Sequence, residues 1–119
     1  MATFSKLPLS GSTNGKAVQV SATATPGTTV HTGSTTTTVT DEVWLYAANT
    51  STSDVKITVE WGGTGTADII EVTIPAESGL VPIAPGLIIV GAATALVVRA
   101  FAGTSNVVNV FGFVNRISG

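Results

Sequence analysis

The chain contains no cysteine among its 119 residues. That removes disulfide staples and thiolate chemistry from consideration. Charge is also scarce. Asp, Glu, Lys and Arg make up 10% of the residues, against about 25% in a typical soluble domain. The five basic residues are scattered and the net charge is −2, so there is no electrostatic basis for nucleic-acid binding or for an acidic membrane surface. A single histidine, His31, is too few for a zinc site without cysteine. No segment carries helical apolar spacing, and no tandem repeat is visible.

Ser and Thr are what the chain has in place of charge, at roughly a quarter of the residues. A weakly charged, Thr-rich surface suits a subunit partly covered by partners, because isolated monomers usually stay apart through charge. The alternative is an extracellular β domain with a neutral surface. "MATFSKLPLSGSTNGK" lacks the apolar core of a targeting signal, which gives the expectation of synthesis in a cytoplasm. One stretch, Leu80 to Val98, has no charge over a length that could span a bilayer. Pro82, Pro85, Gly86 and Gly91 interrupt it, and its many β-branched residues prefer a sheet. It reads as short strands, "GLVPI" and "GLIIV", punctuated by "APG".

Strand alternation runs through the rest. In "DEVWLYAAN" Val43, Leu45 and Ala47 share one face, while Trp44, Tyr46 and Ala48 share the other. Both faces are apolar, so both need cover. "DVKITVEWGG" alternates with Val55, Ile57, Val59 and Trp61 inward and Lys56, Thr58 and Glu60 in water. The polar turn Asn49 to Asp54 between the two segments predicts that they form a hairpin. "DIIEVTIPA" places Ile70, Val72 and Ile74 inward, and "ALVVRAFA" adds a strand. In "NVVNVFGFVNRI" Val108, Val110 and Val114 oppose Phe111 and Phe113. Asn14-Gly15 reads as a tight turn. Residues 17–24 and 28–32 give weak strands, and residues 1–15 have little periodicity. Seven or eight short strands with frequent turns leave an antiparallel sandwich, a jelly roll or a small barrel open.

No reactive constellation has diagnostic spacing. A Ser–His–Asp assembly would need His31, but no G-x-S-x-G elbow occurs. "GSTNGKA" misses the phosphate-loop spacing and its Ser/Thr. The carboxylates Asp41, Glu42, Asp54, Glu60, Asp68, Glu71 and Glu77 lack a metal or glycosidase pattern, and most read as solvated strand-end groups. No cofactor is expected.

The segments "DEVWLYAANTSTSDVKITVEWGG", "APGLIIV", "LVVRAFA" and "VNVFGFVNRI" resemble small β-rich virion proteins of tailed bacteriophages, of the capsid decoration (cement) type, over roughly Asp41 to Ile117. The resemblance implies a non-enzymatic structural protein on the capsid surface that braces the head lattice, often as a homotrimer. Its partners would be itself and the major capsid protein, with no membrane or nucleic acid. The family has no catalytic residues to carry over. The resulting expectation is an all-β, antiparallel, jelly-roll-like β-sandwich over residues 16–119 with an extended N-terminal arm, residues 1–15. Within it, Phe111 and Phe113 would serve self-association, and Phe4, Lys6, Leu7 and Leu9 of the arm would contact the capsid. The competing expectation is a carbohydrate- or receptor-binding β-sandwich of a phage fibre or tail tip, with Trp44, Tyr46 and Trp61 as a stacking platform.

Overall fold

The computed structural model describes residues 2–119. These form two antiparallel sheets packed face to face, a β-sandwich, with one turn of 3₁₀ helix at Thr66–Asp68 as the only helical segment among them. The strands are β1 (Thr3–Pro8), β2 (Val18–Gln19), β3 (Thr28–Thr32), β4 (Val39–Asn49), β5 (Val55–Trp61), β6 (Ile69–Ile74), β7 (Val81–Val90), β8 (Val97–Ala102) and β9 (Val108–Ser118). One sheet runs β1-β9-β4-β7, with β2 continuing beside β9; the other runs β3-β8-β5-β6. The partners nest: β5 with β6, β4 with β7, β3 with β8 and β1 with β9.

The core lies between the sheets and follows from the alternation. Val43, Leu45 and Ala47 of β4 face Val55, Ile57 and Val59 of β5 across it, joined by Val108, Val110 and Val114 of β9. These side chains are buried, and each is worth about 1.5–3 kcal/mol if it is as large as Val or Ile. The period-2 pattern is unbroken over all 11 residues of β4. Gly112 is required where β9 meets β4, because a Cβ there would collide with the Trp44 carbonyl oxygen. At the turn expected at Asn14-Gly15, both residues have positive φ, 54° and 80°, and the Lys16 N–H donates to the Thr13 carbonyl. That is the backbone a type I′ turn demands.

Several expectations are corrected. β4 and β5 do not form a hairpin; they lie in opposite sheets. The Asn49 amide donates to the carbonyls of Ser53 and Ile74, which fixes a crossing between sheets where a tight turn was expected. "GLVPI" and "GLIIV" belong to one strand, β7. Its register against β4 shifts twice: Gly86, at φ 77°, is the extra residue at one bulge and Ile83 at the other. Ile70 and Val72 are only half-buried, because β6 is an edge strand. Thr58 and Glu60 are buried instead of wet. The Glu60 carboxylate accepts hydrogen bonds from the Thr25 hydroxyl (2.5 Å) and the Gly27 N–H (2.7 Å), so the loop before β3 folds over it.

The N-terminal segment expected as an arm is, from Thr3 on, integrated into the fold. Thr3–Pro8 pairs with β9 from Phe113 to Ser118, and Leu9 is a core residue at 1% exposure. The segment is an edge strand followed by a buried anchor.

Candidate functional site: an aromatic sheet face and a buried polar latch

Sheet register sets the outer face of the β1-β9-β4-β7 sheet. With the valines of β9 turned to the core, Phe111, Phe113, Asn115 and Ile117 turn out. Glu42, Trp44 and Tyr46 of β4 stand beside them, and Phe4 and Lys6 come from β1. The pairings form transverse rows: Phe4–Ile117–Thr40–Val90, Lys6–Asn115–Glu42–Ile88, and Phe113–Trp44 above them.

The Phe113 and Trp44 rings stack at 5.9 Å between centroids and 9° between planes. The Lys6 ammonium sits 4.5 Å from the Phe113 centroid, a cation–π contact. On the β7 side of Trp44 the backbone of Gly86 approaches so closely that a Cβ would lie 3.0 Å from the benzo ring. The Trp44 Nε1–H donates to Glu42 (2.6 Å), and the Asn115 amide donates to the same carboxylate oxygen (3.1 Å). These two bonds hold the Glu42 carboxyl below its ordinary pKa. A groove of about 390 Å³ opens beside this row, lined by Phe4, Ser5, Lys6, Glu42, Asn115 and Ile117.

The residues singled out from the sequence thus divide. Phe4, Lys6, Phe111 and Phe113 share this face, while Leu7 and Leu9 turn toward the core. Leu9 cannot contact a capsid without unfolding the end of β1. Trp61 is separate from Trp44 and Tyr46: it belongs to the other sheet, and its Nε1–H donates to the Ile88 carbonyl (3.2 Å). The three aromatics do not form one platform.

A second cluster was not legible in the sequence. Asp41, at 1% exposure, accepts a bidentate pair from Arg116, Nε at 2.7 Å and an Nη at 2.8 Å. It also meets His31 Nε2 at 2.8 Å. The Ser10 backbone N–H donates to His31 Nδ1 (3.1 Å), so Nδ1 is the acceptor and Nε2 carries the hydrogen that faces Asp41. Desolvation by burial raises the Asp41 pKa, but the hydrogen bonds from Arg116 and His31 outweigh it, and the carboxyl stays below its ordinary value. The hydrogen bonds that Arg116 donates to Asp41 in turn raise the Arg116 pKa.

Ser10, His31 and Asp41 do come together, but not as a nucleophile with its base. The imidazole meets the backbone of Ser10, and the Ser10 hydroxyl accepts from the Thr32 N–H (2.6 Å). The cluster ties β3 of one sheet to β4 and β9 of the other and to the end of β1. It is a structural latch. Its only sequence signal is a lone histidine with an aspartate ten residues on and a distant arginine, which no spacing rule connects. No group of three or more metal-ligating side chains occurs among the described residues. No family model matches this chain, and neither a curated protein nor a solved structure is significantly similar to it.

Proposed function

We propose that the chain is a non-enzymatic structural virion protein, a capsid decoration (cement) subunit that binds the outer surface of a phage head lattice and stabilises it, acting as a homotrimer. The observation that carries this reading is the aromatic outer face of the β1-β9-β4-β7 sheet. Phe111, Phe113, Trp44, Tyr46 and Phe4 lie there on a chain with little charge to keep copies apart. Phe4 is exposed and the other four are half-buried; apolar groups left uncovered together on one face of a soluble domain mark an interaction surface. The major capsid protein and other copies of the chain are the partners, and the virion surface, reached after synthesis in the host cytoplasm, is its location.

The sandwich is further read as a jelly roll. Supporting this is the nested pairing of β1 with β9, β3 with β8, β4 with β7 and β5 with β6, which is one long antiparallel ribbon wrapped into two sheets, an architecture common to capsid and lectin domains. The N-terminal segment keeps a role in contact through Phe4 and Lys6 at the sheet edge, in place of a free arm.

The rival reading, a carbohydrate- or receptor-binding module of a fibre or tail tip, needs an open aromatic face for a sugar. Phe113 and Gly86 flank the Trp44 indole, and that weighs against it. The test is co-sedimentation with undecorated heads built from the capsid protein encoded alongside the chain. Stoichiometric binding and a higher disruption temperature of the heads are expected. Absence of binding together with hits on a glycan array would overturn the proposal in favour of the rival.

A further inference from the structure

The β1-β9-β4-β7 sheet ends in two free edges, β1 and β7. A strand edge presents a row of unpaired N–H and C=O groups, and proteins usually blunt it with charge, proline or cover. β7 is blunted in its first half by Pro82, Pro85 and the Gly86 bulge, and in its second half only at the Ile88 carbonyl, which accepts from the Trp61 indole. Its second half, Leu87 to Val90, has no proline and no charge, and three of its four side chains are exposed: Leu87, Ile88 and Val90. The opposite edge carries Phe4, the most exposed large apolar residue described, at 74%.

These exposed groups are level. Register through β9 and β4 puts Phe4 in the row of Val90 and Lys6 in the row of Ile88. Three successive antiparallel pairings make β1 and β7 antiparallel to each other. A neighbour in the same orientation therefore brings its β1 antiparallel to β7, with Phe4 beside Val90. The edges also complement in charge. Lys6 is the one charged residue of β1. A groove of about 300 Å³ beside β7, lined by Trp61, Ile69, Ile70, Leu87 and Ile88, carries Asp68, which has no ion-pair partner among the described residues. Joining β1 to β1 would instead set Lys6 near Lys6 and leave the apolar half of β7 bare.

We propose that copies of this chain join head to tail, the β1 edge of one against the Leu87–Val90 edge of the next, into a closed ring. This rests on the reading of the chain as a self-associating subunit, and it names the surfaces that do the joining. Size decides between a pair and a ring. Four paired residues give a contact about 13 Å long, and a sandwich with its outer side chains is about 20 Å thick. Each partner then buries about 270 Å², or about 540 Å² per contact, which is below the roughly 1,200 Å² of a stable interface. An open pair is under-held. A ring gives every copy two such contacts and leaves no free edge.

The lack of cysteine makes the test direct. Phe4→Cys and Val90→Cys are surface substitutions, and within one copy the two positions lie three strand spacings apart, about 14 Å, too far for a disulfide. On mild oxidation of the full chain at about 100 µM, each single variant alone should remain uncrosslinked. A mixture of the two should give one covalent heterodimer. The double variant should give a covalent ring of a single size, expected to be a trimer. Ile88→Lys in the native chain should sediment as monomers where the parent sediments as the ring. Self-crosslinking of either single variant, no crosslink in the mixture, or an unaltered sedimentation of Ile88→Lys would each overturn the head-to-tail ring. Adding the same preparations to phage heads separates the two proposals. Rings that ignore heads remove the cement reading alone, and head binding by a chain that never crosslinks removes the ring alone.

Discussion

The Asp41 latch makes a quantitative claim about acid. In the folded chain the carboxyl is desolvated, yet Arg116 and His31 hold its pKa below the ordinary value near 3.8. Its contribution to stability is therefore complete above about pH 4, where the carboxyl is ionised folded and unfolded alike, and it is lost as pH falls through the lower folded pKa. Asp41→Asn keeps the shape but removes the charge from an arginine that is 29% exposed. Breaking a buried ion pair by deleting one partner costs about 3–5 kcal/mol. Because Arg116 can turn to water, the lower end, about 3 kcal/mol, is expected at pH 7. With a urea slope of about 1–3 kcal/mol per molar, the midpoint should move down by about 1–3 M. Arg116→Leu leaves the carboxylate buried with only His31 beside it and should cost as much or more. The double variant Asp41→Asn with Arg116→Leu should cost less than the sum, since the two share one interaction. Urea titrations from pH 7 to pH 2.5 provide the check. The parent should lose stability steeply below about pH 4, and Asp41→Asn should show a shallower acid limb. Parallel acid limbs in parent and variant would refute the claim that this carboxylate is stabilised by its partners.

Ile57→Ala, at a fully buried site between the sheets, should cost about 2–5 kcal/mol, read by the same urea titrations. Deleting residues 2–10 removes β1 and the Leu9 anchor, so the melting temperature should fall sharply; an unchanged melt would mean the segment is a dispensable arm after all. Gly112→Ala should fail to pair β4 with β9 and give little soluble protein, because the Trp44 carbonyl occupies the space of the new methyl. Phe111→Ser with Phe113→Ser should leave a folded chain by circular dichroism that decorates heads poorly, whereas head binding at parental affinity would take these side chains out of the contact.

How far the sequence carries depends on the range of the interaction. The alternation of Val108, Val110 and Val114 against Phe111 and Phe113 is a property of one strand, and the structure keeps it. The Asn14-Gly15 turn is equally local. The pairing of strands is not. The segment from Asn49 to Asp54 has the composition of a hairpin turn, and only the side-chain bonds of Asn49 to Ser53 and Ile74 turn it into a crossing between sheets. Glu60 fits the outward position of its strand, and its burial comes from a loop that starts more than thirty residues earlier. In the Arg116–Asp41–His31 cluster, His31 and Asp41 are ten residues apart but Arg116 lies 75 residues beyond Asp41, so no short window along the chain contains it. Residues 1–15 read as an arm because β1 has one exposed face and one neighbour, β9, at the far end of the sequence. The aromatic face was half legible: apolar residues on both sides of β4 signal that the outer side needs cover, but not that Phe113 and Gly86 supply part of it.

The pairing of β1 with β9 has a consequence for how the chain is made. Thr3 lies opposite Ser118, so the N-terminal strand of the sandwich leaves the ribosome well before the C-terminal strand it needs as its template. At about 5–20 residues per second, the ribosome takes roughly 6–24 s to pass over these 119 residues. Throughout that interval Phe4, Leu7 and Leu9 have no sheet to join, while the β5–β6 hairpin at the middle of the ribbon can already close. Pairing then spreads outward to β4 with β7, β3 with β8 and finally β1 with β9, each step enclosing a longer loop. Folding should accordingly be slow, as long-range β topologies are. The N-terminal strand should gain protection from hydrogen exchange last, and a cell producing the protein in quantity must shelter that apolar strand until its template emerges.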